Sequence, residues 1–242
     1  MSLLECRGVS MKFGGAMALT TVDVQAEAGA ITGLIGPNGA GKTTLFNCIT
    51  GLLEPTSGVV LLDGREISNL PPFKRARMGV ARTFQRLELF TSLSVRDNIR
   101  VAGEIRNRWG GSKGDPAKEA DRVIDMLGLN KLADREVTEI PTGMARRVEM
   151  GRALMTRPKI LLLDEPASGQ DEQETEEFGE LLLHLCADGT AILLVEHDVA
   201  LVMKVCTFIQ VLDFGCIIAA GSPEQIQTNH AVLEAYLGQE AE

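Results

Sequence analysis

No apolar run in this 242-residue sequence approaches the ~18 residues that a membrane-crossing helix needs. The opening MSLLECRGVSMKF lacks a cationic flank followed by an apolar core, so no export leader is read from it. A cytosolic protein is predicted, with any membrane role coming through a partner. A Lys/Arg-rich run is also missing, and the formal net charge is −9. That excludes a general nucleic-acid or anionic-lipid surface, because such partners select basic patches. The cysteines (Cys6, Cys48, Cys186, Cys206, Cys216) are odd in number, widely spaced and mostly set in apolar stretches, with no metal-ligand spacing. They read as buried free thiols in a reducing compartment. Internal repeats and low-complexity segments are absent. The length suffices for one well-cored domain with a smaller lobe attached.

What is present begins with Gly36 to Thr44, GPNGAGKTT, set between the apolar run Ala30–Ile35 and the helix-like run Leu45–Thr50. Gly36, Gly39 and Gly41 let the backbone curl so that successive N–H groups point inward, and the helix that follows adds the positive end of its dipole. Pro37, Asn38, Ala40 and Thr44 complete the loop. Lys42 then reaches the β- and γ-phosphates of a nucleoside triphosphate, and Thr43 offers a hydroxyl to Mg²⁺.

β-Prone segments recur at Ile31–Ile35, Val59–Leu62, Ile160–Leu163, Ala191–Val195 and Phe208–Leu212, alternating with helix-compatible stretches. The pattern predicts a largely parallel α/β core. Leu3–Val9 and Leu19–Ala26 read as additional strands. Between Phe84 and Pro158 the texture becomes helical, at Val95–Ile105, Ala117–Leu127 and Met144–Met155, which predicts an inserted helical lobe. Within it, the Gly-rich, charged Gly103–Pro116 reads as a loop, and Trp109 there reads equally as a partner anchor or an incidental aromatic.

Ile160–Pro166, ILLLDEP, is an apolar strand ending in two carboxylates. Asp164 is placed to serve Mg²⁺ and Glu165 to polarise an attacking water. An acidic strand end is common in any α/β protein, and the phosphate loop is what gives this one meaning.

With these residues in hand, the whole chain resembles the ATP-binding-cassette (ABC) ATPases. Phe13 stands where that family places an aromatic on adenine, although it reads equally as core. Gln85, in ARTFQRLELF, matches the glutamine that senses Mg²⁺ and the membrane partner. Ser168–Asp171 resembles the dimer-contact loop, and His197, in LLVEHD, matches the histidine that holds the γ-phosphate. FGGAMAL, ARTFQRLELF, VEHDVALVM and the terminal GSPEQI…AVLEAYLG resemble the ATPases of branched-chain amino-acid importers. Related urea and amide importers share much of this wording.

The resemblance implies a P-loop ATPase core of ABC type with an N-terminal β subdomain. Residues 1–85 and 158–242 would form the nucleotide-binding core and 86–157 the helical signature lobe. It implies ATP and Mg²⁺ as ligands, with Thr43, Gln85 and Asp164 toward the metal and Glu165, His197 and Gln85 toward catalysis. Permease subunits, a second ATP-binding subunit and, indirectly, a solute-binding protein are the implied partners, and nucleic acid is not. The chain would sit peripherally on the inner membrane face. Where the family reads LSGGQ, this sequence has Ile140-Pro-Thr-Gly-Met144. Pro141 brings neither hydroxyl nor N–H, and Met144 replaces a polar side chain. Thr142 and Gly143 are what remain for the partner subunit's nucleotide. A soluble ABC-type regulatory clamp and an unrelated P-loop kinase are the alternatives. No second cassette, coiled coil or basic arm supports the first, and Gln85 with His197 argues against the second.

Overall fold

The computed structural model describes residues 2–110 and 114–237. A long hairpin, β1 (Ser2–Phe13) and β2 (Ala16–Glu27), opens the chain, and the short β3 (Ile31–Ile35) leads into α1 (Lys42–Thr50). Next come β4 (Ser57–Leu62), β5 (Arg65–Glu66), α2 (Pro72–Met78) and β6 (Val80–Arg82). Three helices follow, α3 (Val95–Asn107), α4 (Pro116–Met126) and α5 (Thr142–Leu154), with no strand between them among the described residues. The chain then runs through β7 (Ile160–Asp164), α6 (Glu172–Ala187), β8 (Ala191–Val195), α7 (Val199–Val205) and β9 (Phe208–Asp213). It ends with β10 (Cys216–Gly221), α8 (Pro223–Gln227) and α9 (His230–Leu237).

Two sheets divide the strands. The first, ordered β2-β1-β4-β5, is antiparallel throughout. The second, ordered β10-β9-β3-β8-β7-β6, is parallel except for its β10 edge. In β3, β7 and β8 every residue is buried, as a parallel strand covered on both faces requires. Alternation along them feeds two cores. Ile160 and Leu162 join the cluster shared with α1 and the antiparallel sheet, whereas Leu161 and Leu163 join the cluster continuous with α3–α7.

Several sequence expectations need correction. Val59–Leu62 forms a strand, but in the antiparallel sheet, paired with β1; its half-exposed alternation is that of a strand with one wet face. Strands β5, β6 and β10 were not read from the sequence. Gly103–Asn107 belongs to α3 and not to a loop. Gly103 is there for close packing, since a Cβ would lie 2.5 Å from Met155 Cε. Of the rest of that segment, residues 111–113 lie outside the described residues. Four cysteines are buried free thiols as expected, but Cys216 is exposed. Burial pushes Cys48 and Cys186 up to about 11 and Cys206 to about 12. Among the described residues no helix is long and apolar enough to cross a membrane.

Candidate nucleotide site

The carboxyl ends of the parallel strands converge, which is where open α/β sheets bind ligands. β3 delivers the phosphate loop, β6 delivers Thr83–Gln85, β7 ends at Asp164 and Glu165, and β8 is followed by Glu196 and His197. A 280 Å³ cavity is lined by Asn38 to Thr44 together with Gln85, Asp164 and Glu165.

The loop's geometry follows from its glycines. Gly36 has φ 147° and lies so close to the Leu212 carbonyl that no side chain fits. Gly41, with φ 111°, caps α1 in the left-handed region, where a Cβ would meet the Ala18 carbonyl at 2.8 Å. No side chain caps α1, so the first N–H groups of the helix are left for a ligand or water. Lys42 is buried, and its ammonium donates to the carbonyls of Gly36 at 2.5 Å and Pro37 at 2.9 Å. Burial lowers its pKa, against the opposing pull of Glu165 and Asp164.

Glu165 is a non-glycine residue at φ 50°, a conformation that costs about 1–3 kcal/mol and marks strained functional positions. Its Oε1 accepts a hydrogen bond from Gln85 Nε2 at 2.8 Å and lies 2.8 Å from His197 Nε2. Three candidates from three separate strand ends thus meet on one oxygen. His197 does not cap α7; Asp198 does, accepting from the Leu201 N–H. Phe13 is 49% exposed near the β1–β2 turn, which removes its reading as core, and it does not line this cavity. Nor do Thr142 and Gly143, which begin α5. Gly143 is buried beside Gln170 and Glu174 at the start of α6.

The metal question turns on donor chemistry. Among the described residues no cluster of three or more His, Cys, Asp or Glu is arranged to hold a metal ion. A Thr43 hydroxyl, an Asp164 carboxylate and a Gln85 amide beside a phosphate loop are hard oxygen donors. That set, with its one carboxylate, fits Mg²⁺, which is usually bound through one or two carboxylates and completes its shell with phosphate and water.

Three charged residues escaped the sequence reading because they look like solvated charges and are buried. Arg82 pairs with Asp164 at 2.8 Å. Glu149 of α5 accepts the Phe84 N–H at 3.2 Å, and burial raises its pKa. Arg146 and Arg152 of the same helix donate to the carbonyls of Phe84, Gln85 and Glu88, so α5 straps the segment that carries Gln85. Glu196 accepts the Ala167 N–H at 2.7 Å and the His197 N–H at 3.0 Å, and burial raises its pKa too. Arg82 and Glu196 sit inside the phrases ARTFQRLELF and LLVEHD, which was the signal available for them, whereas Glu149 had none. On the far side of Arg82 and Phe84, a 330 Å³ groove lies between the core and the helical segment, walled by Leu52, Phe84, Ala102, Ile105 and Trp109.

The family described as ABC transporter matches residues 19–168, and that described as branched-chain amino acid ATP-binding cassette transporter matches residues 216–242. The chain is 40% identical to the high-affinity branched-chain amino acid transport ATP-binding protein BraF of Pseudomonas aeruginosa, over 98% of each chain. The crystal structure of a nucleotide-free ATP-binding cassette from an ABC transporter superposes with TM-score 0.88 at 31% identity, covering 98% of this chain and 99% of that one. A dimeric bacterial ABC transporter cassette matches with TM-score 0.81 at 25% identity, covering 91% and 98%.

Proposed function

The chain belongs to the ATP-binding subunits of ABC transporters, in the branched-chain amino-acid import subfamily, and from that premise we propose how its residues divide the labour. It is an ATP-hydrolysing subunit that energises an importer. The observation that carries the residue roles is the single cavity shared by the phosphate loop, Gln85, Asp164 and Glu165.

In this reading the loop N–H groups and Lys42 hold the triphosphate and neutralise its charge. Glu165 holds the attacking water and takes its proton, while His197, hydrogen-bonded to the same carboxylate, steadies the γ-phosphate. Most of the rate comes from positioning and electrostatics, because phosphoryl transfer asks little covalent chemistry of the protein. Thr43, Asp164 and Gln85 would hold Mg²⁺, which supplies charge neutralisation across the β- and γ-phosphates. Phe13, exposed and aromatic, serves as the adenine platform.

Thr142 and Gly143 at the start of α5 serve the nucleotide of a second ATP-binding subunit, a reading supported by the likeness to a dimeric cassette. Residues 86–157 then act as the signature lobe, and 1–85 with 158–242 as the catalytic core. The apolar groove beside Phe84 takes an element of a permease, which holds the chain on the inner membrane face. Branched-chain amino acids are the proposed cargo, on the strength of the subfamily and of the relative's own name.

Purifying the native membrane complex with single cysteines at Leu52 and Ile105, two exposed residues of the groove wall, tests the arrangement. Crosslinks to a copurifying membrane subunit are expected. Their absence at both positions, with the complex intact, would remove the groove as the permease contact.

A further inference from the structure

Arg82 lies at the end of β6, inside the phrase ARTFQRLELF but with no role assigned to it there, and its buried guanidinium reaches two places at once. On one side Nη2 donates to Asp164 Oδ2 at 2.8 Å and Nη1 to Asn47 Oδ1 of α1 at 2.6 Å. On the other side it helps line the 330 Å³ groove. Its Cζ lies over two rings, 5.3 Å from the centroid of Phe46 and 5.0 Å from that of Phe84. Phe46 belongs to the helix of the phosphate loop, whereas Phe84 is 40% exposed in the groove wall. Nε has no hydrogen-bond partner among the described residues. An ion pair kept only for stability is poorly served by such burial, since desolvation offsets most of the attraction and an orphaned N–H adds to the cost.

We propose that Arg82 is a positioning residue that holds one oxygen of Asp164, fixes the other toward the phosphate loop, and makes that orientation answer to Phe84 in the groove. The inference rests on Asp164 being the Mg²⁺ carboxylate. It adds a path from groove to metal that bypasses Gln85. Whatever presses on Phe84 shifts the stacked guanidinium, and the carboxylate bonded to it must follow.

The test uses the full chain and the non-hydrolysed analogue adenylyl imidodiphosphate, its affinity measured by calorimetry with Mg²⁺ and with EDTA. The ratio of the two is the gain due to the metal. Arg82→Gln and Arg82→Lys should cut that gain about tenfold while leaving the EDTA affinity within about twofold, as partners of ligating carboxylates typically do. Phe84→Ala, a change at an exposed ring that leaves the ion pair in place, should cut it about threefold. In an Asp164→Asn background, Arg82→Gln should have no further effect on the gain. An unchanged gain in both Arg82 variants and Phe84→Ala would overturn the proposal, as would equal losses with and without Mg²⁺, which is what a merely structural role gives. Should Arg82→Gln fail to fold, Arg82→Lys and Phe84→Ala decide the matter. An Asp164→Asn variant with a normal gain would instead refute the reading of Asp164 itself.

Discussion

Helices α1 and α5 begin alike and finish differently. Most other helices open on a side-chain cap: Ser94 for α3, Asp115 for α4, Asp171 for α6, Asp198 for α7 and Ser222 for α8. α1 opens on Gly41 and α5 on Pro141, neither with a side-chain hydrogen bond. Bare N–H groups at a helix start can take an anion, and that is the use proposed for both. At α1 the site is completed within the chain by buried Lys42, the curled loop, and Glu165 with its two partners. At α5 the immediate surroundings differ. Buried Gly143 faces Gln170 and the Glu174 carboxylate, which lies 3.5 Å from where a Cβ would be. An uncapped helix start is expected to bind phosphate strongly only where its neighbours supply the opposite charge. Affinity should reside at α1, with α5 left to adjust the rate of a site that another subunit completes.

The largest effect that tests this division is on chemistry at the α1 end. Glu165→Gln should keep ATP binding and lower turnover about 10³-fold, within the range of a lost general base. Sedimentation of the variant with ATP should show an accumulated dimer. Wild-type turnover would move the base elsewhere and leave the strained φ of Glu165 without a function.

Next in size is affinity. Lys42→Ala should weaken ATP binding to the isolated chain about 100-fold, the worth of a charge-assisted hydrogen bond of up to about 3 kcal/mol. Thr142→Ala at the α5 end should change it less than about twofold, since only a second subunit's nucleotide would feel that loss. Comparable losses from the two substitutions, measured by calorimetry, would break the distinction between the helix starts.

How far the site was legible in the sequence follows from the kind of information each part carries. The phosphate loop is local: one run of nine residues from Gly36 to Thr44 encodes both fold and chemistry. The fully buried β7 and β8 announce themselves by the apolar runs Ile160–Leu163 and Ala191–Val195, and β3 by its place just before the phosphate loop. β4 looked similar over Val59–Leu62, yet its partner is β1, and nothing in a strand's own residues names its sheet. β6 is only three residues long and escapes any periodicity. Buried Arg82, Glu149 and Glu196 are harder still, because a charge is buried only when distant segments bring it a partner. Arg82 finds Asp164 across 82 positions of chain. Trp109, ambiguous in sequence, is a wall of the groove because α3 runs on past Gly103 to Asn107.

The smallest expected effect concerns the α5 start, and it sharpens the comparison most. Met144 is half-buried against the core of the helical segment, so restoring a glutamine there also disturbs packing, and Pro141→Ser is the cleaner change. If a missing γ-phosphate donor costs about 1 kcal/mol of transition-state stabilisation, the low end of its range, the serine should raise turnover at the site closed by α5 about fivefold. In a heterodimer whose other subunit carries an intact signature, only one of the two sites should respond. Introducing Glu165→Gln into this chain, or the equivalent change into its partner, identifies which. Equal losses from either subunit would refute the asymmetry. Serine at an N-cap also has a second use, since its hydroxyl can accept an N–H of the first turn and stabilise the protein by about 1 kcal/mol. The two roles separate by measurement. A faster site shows the hydroxyl reaching phosphate; a higher melting temperature with unchanged turnover shows it spent on the helix. The latter would mean that α5 is bare for reasons of folding and that its N–H groups alone do the work proposed for the signature.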